Sequence, residues 1–156
     1  MEIKYSSEVP VNTERHGTRR TLNYNVRELS ENELKELWEK ETNKDDMSYD
    51  SFARQHKYAF HSLSIGNGRW GYSGVVEAII RDKYSADQME AINNNMAAIN
   101  AVFMQTLVTG GIVEAIKFLR ESADAMDAET FREMQEWRAM AKKEAKGIFG
   151  VISSEL

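Results

Sequence analysis

The chain has 156 residues, 42% of them hydrophobic and 29% charged, with a net charge of −5 at pH 7. That length allows one domain with a real core and excludes a dehydrogenase or a kinase. The absence of cysteine excludes disulfides, thiolate metal sites and cysteine nucleophiles, and the negative charge gives no general pull toward nucleic acid or anionic lipid.

The first residues, MEIKYSSEVPVNTE, have no apolar core, so no secretory signal is expected. Residues 1–29 read as an extended N-terminal arm or strand. The alternation Leu22-Asn23-Tyr24-Asn25-Val26 favours a strand. A basic cluster lies here: Arg15, His16, Arg19, Arg20 and Arg27. Arg15, Arg19 and Arg20 are the candidates for phosphate or nucleic-acid contact. Glu14 and Glu28 flank the cluster and aromatic residues are sparse in it. A solvated or partner-facing arm is the stronger reading.

Ser30-Glu31-Asn32-Glu33 has the S-x-x-E form of a capping box, and Leu34, Leu37 and Trp38 follow at helical spacing. This predicts a helix to about Glu41, ended by the polar run 42–46. Asp45, Asp46 and Asp50 lack the glycine and final glutamate of a calcium loop. Over 48–65 the pattern predicts a short helix and then a strand, because Tyr58, Phe60, Leu63 and Ile65 suit β spacing.

Gly66-Asn67-Gly68-Arg69-Trp70-Gly71 spells G-x-G-x-x-G. A dinucleotide site needs the helix to open within the motif, then a second strand ending in an acidic residue. Here the helix signal begins only at Ser73, which can cap it. A second capped helix follows at Ser85-Ala86-Asp87-Gln88. The loop is therefore expected to use glycine for positive φ and to set Trp70 on the core. Gly66, Gly68, Arg69 and Trp70 remain a possible ligand loop. Gly71-Tyr72-Ser73-Gly74 is half of a nucleophile elbow, but Val75 stands where the second glycine is required. His56 and His61 are five apart and do not have the spacing of a helical metal pair.

From Ala91 to Val113 there is no charged residue. Five amide residues and two threonines interrupt this run, and Gly110-Gly111 divides it. Two core helices meeting at a glycine turn are expected rather than a membrane span. Met89, Ile92, Met96, Ile99, Phe103 and Leu107 form a stripe alternating three and four, suited to packing on another helix. Residues 112–120 should form the next helix. Asp127 can cap the last one, with Phe131, Met134, Trp137 or Arg138, Ala141 and Ala145 on its stripe and Gly147 at its end. The methionines at 89, 96, 126, 134 and 140 read as adaptable core. The apolar tail, with Ile148 and Phe149, either docks on a neighbour or binds a partner.

Two stretches carry a family resemblance. Residues 70–94, from Trp70-Gly71-Tyr72-Ser73-Gly74-Val75-Val76 through Ile80-Arg81-Asp82-Lys83-Tyr84-Ser85 to Ala91-Ile92-Asn93-Asn94, form one. Met134-Gln135-Glu136-Trp137-Arg138-Ala139-Met140-Ala141-Lys142 forms the other. Together they resemble small proteins of Bacteroidales phages and prophages. The resemblance implies a phage or mobile-element origin, with no catalytic residues to carry over. It implies a place in the cytoplasm of the bacterial host or in the virion.

The expected fold is mainly α, an α+β chain with a minor strand component. A compact, mostly helical domain over 30–156 follows the arm. No enzyme activity, metal or cofactor is expected. The expected mode of action is protein–protein contact, with a homo-oligomer and with phage or host proteins. Interface candidates are Ile99, Phe103, Leu107, Ile148 and Phe149. The alternatives are a nucleic-acid accessory protein acting through the 15–27 arm and a small-molecule binder acting through the 66–71 loop.

Overall fold

The computed structural model describes residues 1–121 and 124–150. The fold is α+β and mainly helical. It clusters into two compact units, one of residues 1–78 with the C-terminal segment from Glu144, the other Ile79–Lys143. The boundaries fall inside helices.

In the first unit β1 (Ile3–Ser6), β2 (Thr13–His16), β3 (Arg19–Glu28) and β4 (Tyr58–Gly66) form one sheet, ordered β1-β4-β3-β2 and antiparallel throughout. The N-terminal segment is therefore sheet over most of its length rather than an arm. Its pairing is long-range: Ile3 lies opposite His61 and Tyr24 also lies opposite His61. Gly17 and Thr18 join β2 to β3. Only Gly17 has positive φ, 61°, the pattern of a type II′ hairpin that glycine supplies without strain.

Strand alternation sends Leu22, Tyr24, His61 and Ile65 to one buried face. β3 carries a bulge between Tyr24 and Arg27. Asn25 takes the left-handed conformation there, φ 51°, which asparagine tolerates better than most residues. The amide freed by the bulge donates to Glu144 Oε1 at 3.0 Å.

Helix α1 (Glu31–Lys40) opens on the expected capping box. The Ser30 hydroxyl accepts from Glu33 N, and the Glu33 carboxylate accepts from Ser30 N at 2.9 Å. The Ser30 N–H, then the Arg27 guanidinium, holds the Glu33 carboxyl below its ordinary value of 4.5. A depressed carboxyl contributes stability above its unfolded value and loses it as pH falls through the folded one. Glu33→Gln is therefore expected to be slightly less stable than the parent at neutral pH. The gap should close below pH 4.5 in urea titrations. An equal gap at pH 3 would refute this coupling.

Helix α2 (Tyr49–Gln55) is capped by Ser48, whose hydroxyl accepts from Ser51 N at 3.2 Å. It buries Phe52 against Trp38 of α1, ring centroids 5.2 Å apart, and against His56 at 3.9 Å. The predicted helix-then-strand over 48–65 matches α2 and β4.

Helix α3 (Tyr72–Lys83) starts one residue before the expected cap. Gly71 O accepts the first helical bond, from Val75 N, so Gly71 takes the cap position and Ser73 lies inside. α4 (Ala86–Glu121) opens on the second capping box, with Gln88 N donating to Ser85 Oγ and Ser85 N to Gln88 Oε1. Gly111, φ 76° and ψ 179°, breaks its helical course.

Helix α5 (Asp124–Phe149) already includes Asp127, so that residue lies inside the helix rather than capping it. It also runs through Gly147. The positive φ that stops a helix comes at Gly150, 80°, whose N–H donates to Lys146 O at 2.8 Å. In the second unit Ile79, Tyr84, Ile99, Ala115, Met134 and Ala141 are buried. Trp137 Nε1 donates to Ile79 O at 3.0 Å, and Lys83 Nζ sits 4.7 Å over the same indole.

Candidate functional site

The G-x-G-x-x-G loop joins β4 to α3 through a 3₁₀ turn, Asn67–Arg69. None of Gly66, Gly68 and Gly71 has positive φ, and a Cβ on any of them would meet nothing within 4 Å. The expected use of these glycines for positive φ is therefore corrected. The glycine that the geometry requires is Gly74, outside the motif. A Cβ there would lie 1.8 Å from the Arg69 carbonyl oxygen.

Asn67 ties the loop to the β2–β3 hairpin. Its N–H donates to Thr18 O at 2.9 Å and its side-chain amide to Gly17 O at 3.1 Å. Trp70 is half-buried, with the Arg20 guanidinium 4.9 Å from its ring centroid and the Phe149 ring at 5.7 Å. Outside these contacts the stretch from Gly68 to Gly74, with Glu77, lines an open depression. The next element is α4, so Asp87 and Glu90 lie on a helix and not at the end of a second strand.

The basic residues do not form one patch. Arg15 lies opposite Arg20 and His16 opposite Arg19, so the pairs project from opposite faces of the sheet. Arg19 donates from Nε to Ser64 Oγ at 2.7 Å and from a terminal nitrogen to Ser64 O at 2.9 Å. Arg20 is engaged on Trp70, and Arg27 pairs with Glu33. Of the three phosphate candidates, Arg15 has the freest setting, on the edge strand beside Glu14 and Arg20.

Two of the three histidines lie against main-chain carbonyls, while His16 is exposed beside Glu14. His56 Nδ1 lies 2.9 Å from Phe52 O, and His61 Nδ1 lies 3.2 Å from Glu2 O. Among the described residues no group of three or more His, Asp or Glu side chains is placed to hold a metal ion.

The apolar run 91–113 differs most from expectation. It is not a core helix, because its most apolar window is only 6% buried. The stripe points inward as its spacing requires: Ile99 is 3% exposed, and Met89, Ile92, Met96, Phe103 and Leu107 are half-buried. The other side is not covered. Val102, Met104, Val108, Ile112, Val113 and Ile116 are all exposed, Val108 to 82%. Ala97, Ala98 and Ala101 are exposed beside them.

Beside Val102, a groove is lined by Asn95, Ala98 and Ile99 of α4 and Asp127 of α5. By length and composition α4 could also cross a bilayer. Ile148 and Phe149 form the last turn of α5, Ile148 half-buried and Phe149 held on Trp70. Residues 151–156 of the expected tail lie outside the described residues.

The signal for the exposed face was present in sequence. Apolar residues at 102, 104 and 108 lie beside a complete stripe at 99, 103 and 107. A helix apolar on both sides has more surface than one neighbour covers. Comparison of the chain with protein-family models, with curated proteins and with solved structures found no match.

Proposed function

We propose that this is a non-enzymatic protein of phage or mobile-element origin that works by protein–protein contact. Its place is the bacterial host cytoplasm or the virion. There it serves as a virion component, an assembly accessory or an inhibitor of a host system. The phage assignment rests on the resemblance carried by residues 70–94 and 134–142. The contact mode rests on one observation, the uncharged run 91–113 within α4 and the outward apolar side chains of that helix. Contiguous apolar surface on a soluble chain marks an interaction site.

Immobilised protein is expected to retain a protein from phage-infected or prophage-bearing cells, or further copies of itself. Val108→Glu, at a solvent-facing position, is expected to lose that retention while circular dichroism stays unchanged. Retention of nothing by the parent protein in pull-down and sedimentation would overturn the reading.

A further inference from the structure

We infer that the occupant of the outward face of α4 is a second copy of this chain, in a two-fold contact centred near Val108. The proposal rests on the protein-contact reading above and names its partner.

The first argument is charge. A two-fold axis brings each residue near it against its own copy, so any charge there meets a like charge. The 91–113 run contains none. Residues outside the run restore the ordinary mixture, with Asp87 and Glu90 before it and Glu114 and Lys117 after it.

The second argument is the chemistry of the polar residues that remain. Asn94, Gln105 and Thr109 lie on the outward side, beside Ala101 and Val108. An amide both donates and accepts, so it is complementary to an identical amide across a two-fold axis. A hydrocarbon environment offers no such partner, and each amide would carry a desolvation cost there. Three successive asparagines, Asn93, Asn94 and Asn95, occupy three directions around the helix, and all are exposed. No rotation of the helix in a bilayer would hide them together. A protein partner can cover one side and leave the rest in water.

The third argument is area. The exposures of Val102, Met104 and Val108 before the break at Gly111, and of Ile112, Val113 and Ile116 beyond it, add up to roughly 600 Å² of apolar surface on the two segments of α4, against the ~300–600 Å² of the largest patch on a typical monomer. Buried from each copy, this approaches the ~800 Å² per partner of a standard interface. Exposed alanines at 97, 98 and 101 let a second backbone approach closely at one end. Met104 and Val108 then supply the apolar contact in the middle.

The test is sedimentation velocity of the full chain from ~1 to 100 μM, a span bracketing ordinary weak homodimers. A concentration-dependent dimer is expected. Val108→Glu should weaken it by at least ~10-fold, because it buries two like charges near the axis. The chain has no cysteine, so single cysteines can be placed without background. Val108→Cys should form a disulfide-linked dimer under mild oxidation much faster than Glu36→Cys on α1, also an exposed position.

A monomer throughout the range would overturn the proposal, as would a dimer indifferent to Val108→Glu or equal cross-linking at the two positions. Flotation of a monomeric chain with neutral or anionic phospholipid vesicles, lost in Val108→Glu, would assign the face to lipid instead. A monomer that retains a phage or host protein through Val108 would leave the protein-contact reading standing and remove only the second copy.

Discussion

Gly74→Ala is expected to destabilise the first unit by about 3 kcal/mol or more, at the upper end for overpacking a rigid site. The new Cβ would lie 1.8 Å from the Arg69 carbonyl oxygen and 2.9 Å from its carbonyl carbon. Both are main-chain atoms, so no rotamer change relieves the overlap. Retreat of the Arg69 peptide is resisted from both sides. The 3₁₀ turn closes through Trp70 N donating to Asn67 O at 3.2 Å, and Asn67 is bonded to the β2–β3 hairpin. On the other side Gly74 belongs to the first turn of α3, whose next residue, Val75, is fully buried.

Gly68→Ala and Gly71→Ala are the controls. They introduce a methyl group into open space at ordinary φ and should change stability by less than ~0.5 kcal/mol. Urea unfolding followed by circular dichroism reads all three. A parental midpoint for Gly74→Ala would mean that the close approach of α3 to the loop is wrong.

Phe52→Ala is expected to cost about 3–5 kcal/mol, the range for removing a buried aromatic ring. Phe52 is 2% exposed and joins two helices to the sheet side of the unit. Its ring stacks on His56 at 3.9 Å and packs on Trp38 at 5.2 Å, and Trp38 also meets Tyr49 edge-on at 5.9 Å. His56 in turn meets Tyr5 of β1 at 4.9 Å. Truncation therefore leaves a cavity under α1, α2 and an edge strand together, and no single neighbour can collapse into it. Phe52→Leu keeps most of the volume and should cost less than half as much. Equal losses for the two variants would show that ring stacking, not volume, carries the cluster.

The parts of this fold that were legible in the sequence are those fixed by neighbours a few residues away. Ser30 with Glu33, and Ser85 with Gln88, announce α1 and α4 because a capping box is closed within one turn. The change from Phe52 and His56 to alternating Tyr58 and Phe60 marks the passage from α2 to β4 for the same reason.

What the sequence hid depends on distant partners. β2, Thr13–His16, has no apolar alternation, and it is a strand because β3 lies beside it. β1 is held by β4, some fifty residues on. Gly147 looked like a stop, yet the helix absorbs the ~1 kcal/mol that an interior glycine costs and ends at Gly150 instead. The glycine loop misled for a related reason. Its glycines were expected to supply positive φ, which none of them has, while the glycine under constraint is Gly74, beyond the motif, where a carbonyl approaches from five residues earlier. On α4 the inward stripe and the surplus apolar residues at 102, 104 and 108 were both legible, but which of them would stay uncovered depends on how many neighbours the helix has.

The hydrogen bond from Asn25 N to Glu144 spans 119 residues. It belongs to a unit whose two sequence segments are interrupted by the whole of the other unit. During synthesis the sheet and its first helices emerge well before Glu144, and the bulged strand meets its acceptor only after residues 79–143 have been made. Until then the Asn25 amide depends on water, and Trp70 lacks its Phe149 neighbour. Closing so long a loop is entropically slow. The nascent sheet must therefore persist incomplete while residues 79–143 are made. A ribosome-stalled chain ending before residue 144 would hold an early half still waiting for its last turn of helix.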